Sequence, residues 1–194
     1  MTKRSMKADF LKFAEIIVLT VLFVLVSGCD TKEESLGGEE EGRVITQTYI
    51  SNANVCLDIN MNFRCEKSER TVATDASGFF SVTALSLTED EIEKYQLVAE
   101  LHSESEYVGY GRKTGGNVLS SIPGHPGFIT PLTTIIAVET GRTGGTSIEE
   151  AENKFKEAFG LPNYTYFKSD YVVEENDTLN TIASFISAHQ KENL

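Results

Sequence analysis

The sequence predicts a mainly β protein, an antiparallel β-sandwich over residues 44–129 followed by an α-helical C-terminal segment over residues 130–194. Three observations carry this reading. From Val44 to Ile129, short β-rich runs recur between Gly, Asn and Asp turns. No helical pattern separates them, which argues for a sandwich rather than an α/β sheet. After Ile129 the apolar period lengthens from two to about 3.6 residues.

The strands fall at 44–50, 54–58, 71–74, 79–85, 96–102, 107–110 and 117–122. The clearest hairpin joins Thr71–Thr74 to Phe79–Val82 through Asp75-Ala76-Ser77-Gly78. Asp75 there caps its own turn and Gly78 supplies a positive φ. Thr130-Pro131 reads as an N-cap followed by proline at the first helical position, opening a helix that runs through Thr140 and ends at Gly141. Thr146-Ser147-Ile148-Glu149 is a capping box for a second helix, with Ile148, Ala151, Phe155 and Phe159 on one face and Gly160 and Pro162 closing it. Asp177 caps a third, in which Leu179, Ile182, Phe185, Ile186 and His189 share a packing face.

The 194 residues carry 17 Lys plus Arg against 29 Asp plus Glu, a net charge of −12, which excludes nucleic acid as a partner. Lys3, Arg4, Lys7 and Lys12 precede an apolar run from Ile16 to Val26, the pattern of a signal peptide over residues 1–28. Eleven helical residues rise about 16 Å against roughly 30 Å of hydrocarbon, too little for a membrane span. The run ends in Val26-Ser27-Gly28-Cys29, which resembles the lipobox of bacterial lipoproteins. That resemblance implies a diacylglycerol on the Cys29 thiol and a protein held in the cell envelope, on the inner or outer membrane, by acyl chains. Asp30 resembles the inner-membrane retention signal of enteric-type sorting. Cleavage before Cys29 leaves 13 basic and 27 acidic groups, so attachment to anionic phospholipid rests on the lipid. Residues 29–43 read as an acidic flexible tether, with six acids and three glycines in 30–43 and no aromatic residue.

The segment richest in chemistry runs from Cys56 to Glu69. Asp58, Asn60, Asn62, Glu66 and Glu69 stand at positions one, three, five, nine and twelve of an EF-hand-type calcium loop, with the Arg64 carbonyl at position seven. Three carboxylates and two amides form a hard oxygen set suited to calcium and not to zinc. Phe63 replaces the glycine of the sharp turn, and Arg64 brings positive charge close to a cation. The alternative is an Asx-rich loop that hydrogen-bonds to itself without metal. Cys56 and Cys65 bracket this loop in a chain sent to an oxidising compartment. With Cys29 taken by lipid they are the remaining pair, and so form a disulfide.

The run Tyr49–Asn60 with Val55-Cys56-Leu57-Asp58, then Cys65, Glu69 and Thr74-Asp75-Ala76-Ser77-Gly78-Phe79-Phe80, and finally Ile129-Thr130-Pro131-Leu132-Thr133-Thr134, resembles a recurrent module of Gram-negative envelope lipoproteins over about residues 43–175. Its first half is also similar to transthyretin-like, carboxypeptidase-regulatory-like and adhesin B-type repeat sandwiches. The resemblance implies an Ig-like fold, usually noncatalytic.

His102, His125 and His189 are the only imidazoles, and no nucleophile elbow, zinc-protease, dinucleotide or phosphate-loop motif surrounds them. Glu100, His102 and Glu104 share one strand face, and Gly111–Gly116 resembles a phosphate cradle only superficially; a solvated charged face and an exposed hairpin turn describe them better. The expectation is a non-enzymatic, membrane-anchored binding, adhesion or scaffolding module with an envelope protein or surface ligand as partner. The alternative is an accessory subunit of an envelope enzyme acting with a second chain.

Overall fold

The computed structural model describes residues 41–142 and 146–190, so the expected signal peptide, Cys29 and most of the tether lie outside the described residues. The chain runs β1 (Glu41–Val44), β2 (Ile50–Ser51), β3 (Asn54–Asp58), β4 (Thr71–Ala73), β5 (Phe79–Ser81), a 3₁₀ turn (Thr83–Leu85), α1 (Glu89–Lys94), β6 (Gln96–Leu101), β7 (Glu106–Tyr107), β8 (Arg112–Lys113), β9 (Asn117–Ile122), β10 (His125–Thr130), α2 (Pro131–Arg142), α3 (Ile148–Phe159) and α4 (Asp177–Gln190). Seven strands form one sheet in the order β4-β3-β6-β9-β10-β1-β5, and β2-β7-β8 form a second. Among the described residues no helix is long and apolar enough to cross a membrane.

The protein is sheet-rich, and its main sheet is mixed. Every neighbouring pair is antiparallel except β1 and β10, which run parallel with Arg43 opposite Phe128 and Val44 opposite Ile129. This departs from the all-antiparallel expectation. The two strands are far apart in sequence, and a long connection leaves direction free where a tight turn dictates it.

The expected 71–82 hairpin is present as a turn but not as a ladder. Asp75 Oδ1 accepts from Ser77 N (2.7 Å) and Phe79 N (3.0 Å), and Gly78 has a φ of +81°. A Cβ on Gly78 would stand 2.7 Å from the Tyr49 Cβ, so glycine is needed there for space as well as for backbone angle. Yet β4 pairs with β3 and β5 with β1. The turn joins the two opposite edges of the seven-stranded order, which requires the sheet to curl until it is nearly a closed barrel.

Curling creates two cores on the two faces of one sheet. Val44, Val55, Leu57, Leu97, Ala99, Leu101, Leu119 and Ile129 fill the inside, joined by Phe80 from β5. The next residue after Val44, Ile45, belongs to the other core, with Ile122, Leu132, Ile136, Phe155, Phe167, Tyr171, Leu179 and Ile186 from the helical side. This is the period-two alternation of a strand, and each such apolar side chain contributes roughly 1.5–3 kcal/mol on burial.

The segment Thr130–Thr134 bonds helix to sheet. Thr130 Oγ1 accepts from Thr133 N (3.0 Å) as the expected cap of α2, and Thr133 Oγ1 returns the bond from Thr130 N (2.8 Å). Thr133 Oγ1 donates to Ser120 O (2.6 Å), and Thr134 Oγ1 accepts from Ser120 N (2.8 Å). Both backbone groups of Ser120 are thereby held by the helix start.

Other boundaries differ from the sequence reading. The chain leaves its first ladder after Val44, doubles back through an Ile45–Tyr49 bridge and enters β2 at Ile50, so the expected 44–50 strand is divided. Helix α1 lies between strands where none was expected; Thr88 and Glu91 form its reciprocal capping box. The cap of α3 is Ser147, whose side chain accepts from Glu150 N (3.1 Å), one residue later than the Thr146 box. Asn176, not Asp177, caps α4, accepting from Leu179 N (3.2 Å). On α4, Leu179, Ala183 and Ile186 are buried while Phe185 is exposed, so the packing face is narrower than expected.

Candidate functional site

The site begins with the alternation of β3. Val55 and Leu57 point into the barrel, which turns Cys56 and Asp58 to the outer face. The disulfide Cys56–Cys65 is formed, with Cα atoms 5.6 Å apart. It folds the intervening loop back over the neighbouring strand β6, where Cys65 N donates to Glu100 Oε1 (2.9 Å).

Asp58 is fully buried at the root of this loop. Its Oδ1 accepts from Asn62 N (3.0 Å), and its Oδ2 accepts from Phe63 N (2.9 Å) and from Gln96 Nε2 (2.9 Å). A buried carboxylate is tolerated only with such partners. Asn60 Oδ1 accepts from the same Asn62 N (3.1 Å), so the first two expected ligand oxygens converge on one atom. Asn62 Oδ1 accepts from Arg64 N (2.9 Å), and Asn62 Nδ2 donates to Glu66 Oε1 (3.0 Å). Glu69 spans the ends of the loop, its Oε1 accepting from Ile59 N (3.2 Å) and its Oε2 from Glu66 N (3.0 Å).

The backbone makes the tight turn despite the missing glycine. Met61 and Phe63, at loop positions four and six, have φ of 56° and 59°. A non-glycine residue in this region costs of order 1 kcal/mol, held here by the bonds that Asp58 accepts. The donor set contains oxygen only and so fits a hard cation. The two glutamates engage N–H groups that a cation would replace. Among the described residues no three His, Cys, Asp or Glu side chains converge as a metal-holding group, so the acidic half of the expected cage is not gathered with Asp58.

Beside the loop lies a groove of about 1070 Å³. Met61, Phe63 and Arg64 form one wall, Ile135 and Val138 of α2 with Phe185 and His189 of α4 form the other, and Gln96, Glu100 and Val118 form the floor. His189 stacks on Phe185 with ring centroids 4.2 Å apart. Sequence reading missed this groove because its walls come from three segments distant in the chain, the loop, α2 and α4; the one local signal was Phe185 and His189 flanking an otherwise buried helix face.

The weaker candidates do not assemble. Strand β6 ends at Leu101. Glu100 is engaged by the loop, His102 Nδ1 accepts from Glu104 N (3.2 Å), and Glu104 pairs with Lys113 (3.3 Å). Arg112 and Lys113 of the glycine-rich segment form β8, paired with β7. Comparison with protein-family models, with curated proteins and with solved structures finds no match to this chain.

Proposed function

We propose that the protein is a lipid-anchored, non-catalytic binding module of the bacterial cell envelope whose disulfide-clamped loop holds calcium. The observation that carries this reading is the turn at Asp58–Phe63: left-handed backbone at Met61 and Phe63, with Asp58 and Asn60 oxygens converging on one amide. On this reading Asp58, Asn60, Asn62, Glu66 and Glu69 with the Arg64 carbonyl are the ligands, Glu66 and Glu69 exchanging the N–H groups they accept from for the cation. Calcium supplies a cross-link between the two ends of the loop, and in doing so fixes the wall of the groove that Met61 and Phe63 form. The resemblance of Tyr49–Phe80 to transthyretin-like modules supports placing the β domain among Ig-like sandwiches, as a variant whose main sheet is mixed and curled.

Anchoring falls to acyl chains on Cys29, because an acidic chain is repelled by an anionic bilayer. Binding rather than catalysis is favoured by the side chains available: the groove offers one arginine, one glutamate already engaged by a backbone amide, and one histidine stacked on a phenylalanine.

The test joins anchor and activity. Cys29→Ser is expected to abolish metabolic acyl labelling and leave unprocessed precursor. The purified mature protein is expected to turn over no ester, glycan or peptide probe and to retain an envelope partner in calcium but not in chelator. Unchanged acyl labelling of the variant, or turnover of a probe, would overturn the reading.

A further inference from the structure

We propose that the groove beside loop 58–69 binds a long-chain fatty acid, its acyl chain against Met61, Phe63, Ile135 and Phe185 and its carboxylate on Arg64. This deepens the binding-module reading and rests on it, but it does not use the metal.

The first argument is where exposed apolar surface collects. Met61 is 52% exposed, Ile135 38% and Phe185 57%, and all three line the same concavity. Single exposed apolar residues are ordinary, but several facing one concave space of ligand size mark a site. The groove's volume of about 1070 Å³ lies just above the usual range of small-molecule pockets.

The floor decides between an acyl chain and a peptide. Gln96, Glu100 and Val118 stand on β6 and β9, each with a strand on both sides in the seven-stranded order. Both strands are interior to the sheet, and Glu100 is paired on both sides, with Asn54 and with Val118, so the groove presents no free strand edge to an extended peptide. An acyl chain needs no hydrogen bonds and suits apolar walls.

The charge at the rim decides the head group. Arg43, Arg70, Lys113, Lys154 and Lys168 each hold a carboxylate. Arg64 is exposed and, like Lys67, Lys94, Arg112 and Lys156, forms no ion pair among the described residues, but of these five only Arg64 lines the groove. A guanidinium fork matches a carboxylate. The other ionisable groups of the groove are Glu100, one of whose oxygens is taken by Cys65 N, and His189, whose Nδ1 lies 2.8 Å from Phe185 O.

The experiment uses the full lipidated protein in phosphatidylcholine nanodiscs, photolabelled with a diazirine analogue of palmitic acid and mapped by mass spectrometry. Labelling is expected in peptides containing Met61, Ile135 and Phe185, with competition by unlabelled palmitate. Methyl palmitate, which lacks the carboxylate, should compete about tenfold less well, and Arg64→Glu should weaken palmitate competition about tenfold. Ile135→Lys should remove the label; Phe185→Ser serves if that variant melts abnormally. Labelling elsewhere on the chain, equal competition by acid and ester, or protection of the groove by an envelope protein instead of palmitate would each overturn the assignment. Thermal melts on the same samples with calcium and with chelator separate the two proposals. A calcium-dependent shift without labelling removes the fatty acid alone, and labelling without a shift removes the metal alone.

Discussion

Gln96 Nε2 donates to Asp58 Oδ2 across 2.9 Å, and this bond ties the root of the loop to the strand that floors the groove. Both residues are buried and stand opposite each other in the β3–β6 ladder. Removing the acceptor strands two donors, the Gln96 amide and the backbone N–H of Phe63, and leaves Asn62 N with Asn60 Oδ1 alone. Asp58→Ala should therefore cost about 3 kcal/mol in urea denaturation measured in chelator, whereas Gln96→Leu, which leaves Asp58 two donors, should cost about 1–2 kcal/mol. Equal, small losses would show that the carboxylate does not organise the loop.

The disulfide makes a separate prediction. Closing a short loop in this way contributes roughly 2–3 kcal/mol, so Cys56→Ala combined with Cys65→Ala should lower stability by about that amount. Because the bond holds Cys65 where its N–H meets Glu100, limited proteolysis of the variant should cut first between residues 59 and 69. Cleavage starting elsewhere would place the fragile region outside the loop.

A pH dependence follows from His125. His125 is exposed at the start of β10, and partial desolvation of its ring is the main cause that lowers its pKa; the nearby Lys168 ammonium lowers it further and Glu152 partly opposes both. The unfolded imidazole titrates near 6.5, so between that value and the lower folded one the unfolded state binds more protons. Stability in this window rises with pH and is lost as pH falls below about 6.5. His125→Gln should flatten the difference in melting temperature between pH 7.5 and pH 5.5; an unchanged difference would assign it to other groups. Glu91 acts in a lower window. The Thr88 backbone N–H, and after it Arg70, hold its carboxyl below the ordinary range, so its contribution is lost only as pH falls through carboxylate values.

The elements that were legible in the sequence are those whose pattern is local. Strands Asn54–Asp58 and Asn117–Ile122 have the expected bounds: apolar Val55 and Leu57 alternate without interruption in the first, and Gly116 and Pro123 bracket the second. Pro126 and the glycines at 124 and 127 read as punctuation, yet His125–Thr130 is a strand, paired with β9 only at its ends across a register shift; the proline cannot donate to a ladder and the irregular stretch does not require it to. Thr88-x-x-Glu91 was a readable cap, hidden by the regular spacing of the strands around it. The parallel pairing of Val44 with Ile129 and the groove between Phe63 and Phe185 have no local signal at all. Both arise from closure of the sheet and from helices laid on its outer face. At the site, Cys56, Cys65 and Asp58 were readable from spacing, whereas Gln96 and Glu100, which hold the loop from below, were not.

The most direct test of the central claim is a calorimetric titration of the purified mature protein with calcium, paired with thermal melts in calcium and in chelator. One ion per chain is expected, with a Kd of about 10⁻⁴–10⁻³ M, the range of extracellular modules. At a hundred times Kd the native state should gain about 2.7 kcal/mol, and Asp58→Ala should show neither heat nor shift. No heat in the titration of the natural protein, with identical melting in calcium and chelator, would contradict the account and leave a loop closed by its own hydrogen bonds.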